Sequence, residues 1–324
     1  MRTNRRLWST KWPWTGLYNN KIAVARGQRR TAGMGEMFIM YRKQHIATIS
    51  VVMILIVAAL AAAETTRKEM HFKVGRRANI SIVNQYGPIT VKSGVGKRVS
   101  VTATSYSGKV EIDQSKRGNR VAVVSHLSPG ADADSGRVDY EVVVPMDANV
   151  TLHTATGPLH VEKLHGDMLL EGSTANVDVR DVSAGRVHIK TLNGPVTLTN
   201  VNDGYVEITS VSGDVSLHQV NGASVHVNSS SGKIHYDGEF GEGGQYSLTS
   251  HSGDIEAIAP SYASIEVVAR SVQGRVENDF TLQPEHTSFV TRAGSAFAGT
   301  VGQAASSVNL LSFSGKIHLK KREQ

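Results

Sequence analysis

Glu256 and Glu277 hold the same slot in two consecutive copies of a sequence repeat. Two carboxylates stacked about 5 Å apart on adjacent strands would suit a retaining glycosidase or a cation site. Arg275 and Lys233 are the basic residues that such a carbohydrate-active site would recruit. It would also need an aromatic sugar platform, and no tryptophan follows Trp14. Exposed acids on a strand face are ordinary, so no catalytic residue is assigned. His160, His235 and His318 share the slot three residues after a glycine, and His188 holds it in a second series. His160 and His235 lie four repeats apart, about 19 Å at strand spacing, too far to share a metal. A solvent-facing polar column explains them better, and neither metal nor cofactor is expected. Gly166-Asp167, Gly213-Asp214 and Gly253-Asp254 lack the G-G-x-G-x-D calcium pattern and read as turn chemistry. Ser229, Ser230 and Ser231 have no placed base. No P-loop, G-x-S-x-G or H-E-x-x-H motif occurs. The absence of cysteine excludes disulfides, thiolate metal sites and a Cys nucleophile.

The elements that carry these residues come from one motif: small-polar, any, small, Gly, any, then apolar-polar-apolar. It recurs as TATGPLHV, TLNGPVTL, SVSGDVSL, SSSGKIHY, SHSGDIEA, SVQGRVEN and SFSGKIHL. Its glycine slots are Gly157, Gly194, Gly213, Gly232, Gly253, Gly274 and Gly315, with degenerate copies at Ala175 and Gly294. Successive slots are 18–21 residues apart. A weaker series (LHGDMLL, VSAGRVHI, VNDGYVEI, VNGASVHV) lies between them, so each period holds two turn–strand units. Alternation after each glycine is a half-buried strand. Leu159/Val161, Val215/Leu217 and Val206/Ile208 are typical inward pairs. The outward column of the first series reads His160, Asp178, Thr197, Ser216, His235, Glu256, Glu277, Phe297, His318. Glycine is read as supplying a positive φ or a tight corner. Earlier copies, QYGPITV and SYSGKVEI, extend the repeat toward the N-terminus.

A β-sandwich has no reason to hold a glycine slot at this period, whereas a solenoid stacks equivalent positions in register. The expected fold is therefore all-β, a β-solenoid of about 19–21 residues and two main strands per rung. The N-terminal rungs span 64–148, with a hairpin or projecting loop at 113–139. A regular β-solenoid spans 149–324. The tail Lys320-Lys321-Arg322-Glu323 would guard the edge of the last rung.

The chain has 324 residues and a net charge of +7. Residues 1–45 hold ten basic residues and one acid, Glu36; residues 46–63 hold no charge. Residues 64–324 then carry 25 basic and 27 acidic residues, a net of −2, so a nucleic-acid function loses its compositional support. A basic stretch at 41–45, the apolar run 46–63 and the Ala61-x-Ala63 pattern make the layout of a secretory signal peptide. Cleavage is expected between Ala63 and Glu64. The alternative is an uncleaved hydrophobic anchor helix that spans the membrane through 46–63. Residues 40–63 are the signal or anchor segment. Residues 1–39 are a basic leader, either disordered or upstream of a true start at Met40.

NISIVNQYGPITV, the strand YEVVVP with ANVTLHTATGPLHV, and the serial S-x-S-G-[KD]-[IV] units resemble the bacterial putative-adhesin β-strand-repeat family, over roughly residues 70–320. That resemblance implies a right-handed β-helix and an envelope or surface location, with no shared catalytic residues. The expected protein is an exported, non-enzymatic, adhesin-like solenoid of the periplasm, envelope or extracellular space. Its partner would be a surface glycan or an envelope protein. Two alternatives stand beside it: a membrane-anchored envelope-stress or regulatory component with its C-terminal domain outside the cytoplasm, and a carbohydrate-active β-helix enzyme.

Overall fold

The structure is a computed structural model that describes residues 65–183, 185–283 and 295–323. The leader, the segment 46–63, the Ala63/Glu64 junction and Gly294 lie outside the described residues. No described helix is long and apolar enough to cross a membrane.

The described chain is built from strands. The first seven are β1 (Thr66–Lys73), β2 (Asn79–Tyr86), β3 (Ile89–Gly94), β4 (Arg98–Ser105), β5 (Val110–Arg117), β6 (Arg120–Leu127) and β7 (Val138–Pro145). The regular part follows: β8 (Asn149–Thr156), β9 (Leu159–Glu162), β10 (Met168–Thr174), β11 (Val177–Ser183), β12 (Arg186–Asn193), β13 (Val196–Asn202), β14 (Tyr205–Ser210), β15 (Val215–Asn221), β16 (Ser224–Ser229) and β17 (Ile234–Asp237). The last are β18 (Gln245–Ser250), β19 (Ile255–Ala259), β20 (Ile265–Ser271), β21 (Val276–Asn278), β22 (Ala296–Val301), β23 (Ser306–Ser312) and β24 (Ile317–Lys321).

They form two 12-stranded sheets. From β8 to β19, even strands stack in parallel in one sheet and odd strands in the other. Each rung therefore gives one strand to each sheet, as a two-strand solenoid period requires. Register keeps like on like: Val196, Val215 and Ile234 succeed one another, as do Leu198, Leu217 and Tyr236. Their side chains are buried, as are Val206/Ile208 and Val225/Val227 on the facing sheet. Alternate residues point outward, which is the period-2 pattern of a strand with one buried face.

Two kinds of corner join the sheets. At the first, the glycine slots stack, but mostly for a reason other than φ. Only Gly157 (φ 130) and Gly194 (φ 140) of this column, with Gly87 (φ 107) before them, take left-handed backbone. In Gly213, Gly232, Gly253, Gly274 and Gly315 the constraint is proximity. A Cβ on any of them would fall far inside 3.0 Å of a carbonyl oxygen from the next glycine in the column. Rung-to-rung bonds such as Ser212 N–H to Leu192 O (3.0 Å) and Ser231 N–H to Val211 O (2.9 Å) hold the corners that close. Three residues before Gly213, Gly232, Gly253, Gly274 and Gly315 a buried serine closes the turn. Ser229 Oγ accepts from Gly232 N–H (3.0 Å), and Ser312 Oγ from Gly315 N–H (2.9 Å). The exceptional rung reverses the pair: Gly172 takes the serine slot, and the Ala175 methyl fills the space a Gly172 side chain would need.

At the second corner Lys163, Asp181, Asn200 and Gln219 all have φ between 54° and 59°. This extra left-handed residue breaks the alternation and turns Leu164, Val182, Val201 and Val220 into the core.

Both ends depart from sequence order. The rung β2/β3 lies on β8/β9, with β6/β7 outside it. The 113–139 region is the antiparallel hairpin β5–β6, with β6 paired on β2, and the connection to β7. SYSGKVEI is not a rung: β4 runs antiparallel to β1 and β7, β5 runs antiparallel to β6, and a Cβ on Gly108 would meet nothing within 4 Å. At the other end β23/β24 insert between β18/β19 and β20/β21, and β22 runs antiparallel along β20. The charged tail is therefore internal. Arg322 reaches back to Asp237 (2.7 Å) and Glu239 (3.2 Å) and clamps rungs together, where an edge guard was expected.

Three glycine substitutions test the corners. Gly213→Ala should lose roughly 3 kcal/mol or unfold the stack, because the rung above cannot move away. Gly108→Ala, in the same S-x-S-G pattern, should stay within about 0.5 kcal/mol of the parent. Gln219→Gly should gain roughly 0.5–1 kcal/mol by relieving left-handed strain at an exposed side chain. Urea melts of the three variants measure all of these.

Candidate functional site

The expected acid pair does not form. Glu256 lies opposite His318, and His318 lies opposite Glu277, because β24 separates β19 from β21. The two carboxylates are two strand spacings apart, about 10 Å, beyond the roughly 5 Å of a retaining pair. Each is also committed. Glu256 Oε2 is 2.8 Å from His235 Nδ1, and Glu277 Oε2 is 2.6 Å from Lys316 Nζ. The Lys316 hydrogen bond holds the Glu277 carboxyl below its ordinary range. A general acid needs the opposite shift. Lys233 and Glu256 line one shallow depression with His235, Asp254, Lys316 and His318. Glu277 and Arg275 are not in that lining, so the four residues do not converge.

The outward column is real, with one change of order and one of membership. It runs Thr90, His160, Asp178, Thr197, Ser216, His235, Glu256, His318, Glu277. Phe297 instead lies on β22, opposite Ala269 of the other sheet. Its histidines meet acids on neighbouring residues or rungs. His160 Nδ1 is 3.1 Å from Asp178 and its Nε2 is 3.2 Å from Glu162. His318 Nε2 is 2.9 Å from Asp279, and on the second sheet His188 Nδ1 is 2.9 Å from Glu207. Each of these histidines thus meets one or two acids. Among the described residues no group of three or more His, Asp or Glu is placed to hold a metal ion. The Gly-Asp pairs tie rungs together: Asp214 accepts from Lys233 N–H (2.8 Å) and Asp254 from Lys316 N–H (2.8 Å).

Sequence reasoning missed a corner groove. The variable residue two before each glycine slot faces solvent, and along the stack this position reads Leu192, Val211, Ser230, His251, Phe313, Val272. Phe313 is 41% and Val272 51% exposed. The His251 and Phe313 rings stack, with centroids 4.9 Å apart and planes 7° from parallel. Beside this apolar ridge run Asn228, Thr249, Leu311 and Arg270, and the buried serines form the floor between. The signal was present as the free letter of S-x-S-G. It was invisible because Phe313 neighbours His251 only through the inserted rung.

The model of the Toastrack DUF4097 family matches residues 77–320. No curated protein matches the chain. Among solved structures, a putative adhesin from Parabacteroides distasonis is 12% identical, with 80% of this chain and 98% of that one covered and a TM-score of 0.46. A putative adhesin from Bacteroides fragilis is 12% identical, covering 79% and 97%, with a TM-score of 0.42. A putative cell adhesion protein from Clostridium sporogenes is 11% identical, covering 79% and 100%, with a TM-score of 0.31.

The outward ion pairs set an acid limit. The His160 and Lys163 hydrogen bonds depress the Glu162 carboxyl to about 2 from 4.5. His318 likewise lowers Asp279. A depressed carboxyl stabilises the fold above its unfolded pKa, and that contribution fades as pH falls toward the folded value. Stability should therefore decline between about pH 4.5 and 2. Glu162→Gln should flatten that decline in acid melts while leaving the neutral-pH fold intact.

Proposed function

The chain belongs to the Toastrack DUF4097 family, and from that premise we propose that it is an exported, non-enzymatic, adhesin-like solenoid that binds a partner at the cell envelope or surface. What carries this reading is the outward surface. It repeats the same polar slots rung after rung, and His160, His235, Asp178, Glu256 and Glu277 are engaged in ion contacts along the stack. Catalysis needs a nucleophile or acid–base pair converging on one point with matched pKa values. The nearest candidates, Glu256 and Glu277, are held apart by His318. A repeated face is suited to a repeated or extended partner. Export is supported by the basic, apolar and small-residue succession at 41–63.

The experiment is fractionation of cells expressing the full chain, with N-terminal sequencing and envelope-binding assays. Expected are an exported form beginning at Glu64, retention on envelope material or glycans, and no sugar released from polysaccharides. Glu256→Gln with Glu277→Gln should leave that retention unchanged. An intact N-terminus in the membrane fraction would favour the anchored regulatory component. Sugar release that the double variant abolishes would favour the enzyme.

A further inference from the structure

The corner groove combines an apolar wall, a polar wall and one uncommitted cation. Arg270 stands on the outward face of β20, exposed, and makes no ion pair or side-chain hydrogen bond among the described residues. Arg180, by contrast, pairs with Asp178 (2.9 Å) and Arg137 with Asp139 (2.8 Å), while Arg186 on β12 is exposed and, among the described residues, unpaired like Arg270. No acidic side chain lines the groove, and its one other ionisable side chain is His251. The site thus complements an anion.

The groove also restricts what kind of molecule can use it. Its backbone is already paired from rung to rung: His251 N–H to Ser229 O (3.1 Å), Phe313 N–H to Ser250 O (3.2 Å), Val272 N–H to Ser312 O (3.1 Å). A peptide adding as a strand needs an open edge, and this corner presents none. Recognition falls to side chains. The floor hydroxyls of Ser229, Ser250 and Ser312 are spent on their turn glycines. Asn228, Ser230 and Thr249 keep their side-chain donors and acceptors free. Opposite them stand Phe313 and Val272. A ligand matched to both walls has hydroxyls on its rim, an apolar C–H face and a negative charge.

We propose that this groove is a binding subsite for an anionic saccharide chain that runs across the rungs. The acid group pairs with the Arg270 guanidinium, whose fork suits carboxylate and sulfate oxygens alike. The apolar sugar face lies against Phe313 and Val272, and its hydroxyls reach Asn228, Ser230 and Thr249. This inference rests on the reading of the chain as a surface-binding protein and assigns that binding a place and a ligand class.

The test is retention of the full chain on immobilised polygalacturonate, which supplies carboxylates, and dextran sulfate, which supplies sulfates, with unmodified dextran as the neutral arm. Retention is expected on one or both acidic polymers, weakening with salt, and not on dextran. Arg270→Ala and Phe313→Ala should each weaken it about tenfold or more. Arg180→Ala, on the other sheet, should not, and the thermal midpoint of Arg270→Ala should equal the parent's. Retention unaffected by Arg270→Ala and Phe313→Ala would overturn the groove and leave the surface-binding reading standing. Failure on both acidic polymers while the chain still binds envelope material would do the same. Loss of self-association in Phe313→Ala, without change in polymer retention, would make the ridge a contact between copies of the chain and overturn the subsite.

Discussion

The structure depends on how closely one rung's corner sits on the next. Carbonyl oxygens of one glycine lie where a Cβ of the following glycine would be, from Gly194 through Gly213, Gly232 and Gly253 to Gly315 and Gly274. The closeness comes from hydrogen bonds that continue around the corner and are not confined to the flat strands. A strand tolerates almost any outward residue; this corner takes glycine in every described copy but Ala175. Its freedom is therefore concentrated in the neighbouring letters. That explains why Ala175 occurs only with Gly172, a local exchange of one methyl's volume.

Inside-outside assignment was fully legible. Val215, Leu217, Val206 and Ile208 are buried as the period of two demands, because side-chain direction in a strand is fixed by parity. The order of the rungs was not legible. Every rung carries the same slots, so β18/β19 accepts β23/β24 as readily as β20/β21. Pairing energy between like rungs says little about which like rung is chosen. The misplacement of Glu277 beside Glu256, and of Phe297 in the wrong sheet, both come from assuming sequential stacking. The same degeneracy made SYSGKVEI look like a rung. Nothing in its letters shows that β4 runs antiparallel to β1 and β5 antiparallel to β6 at the end of the stack.

The second corner was missed for a different reason. Lys163, Asp181, Asn200 and Gln219 share a backbone conformation but no side-chain chemistry. Asn and Asp visit left-handed backbone readily, while Lys and Gln give no such hint. The corner is instead recorded one residue later, in the apolar series Leu164, Val182, Val201 and Val220. The groove belongs to the same class of hidden feature. Its ridge is spread over the one position that the repeat leaves unspecified, and becomes a surface only once the rungs are in spatial order.

The inserted rung separates chain order from completion. Residues 306–321 lie between elements made earlier, with β18/β19 on one side and β20/β21 on the other. β20 and β21, which precede them, cannot form their final contacts as they emerge. β20 and β21 must wait, or must first rest on β18 and β19 and then yield. Non-local pairing of this kind carries a loop-closure cost that sequential stacking avoids. The corner that unites His251 with Phe313 therefore cannot close without residues 306–321, so the ring pair exists only in a chain whose inserted rung has been seated.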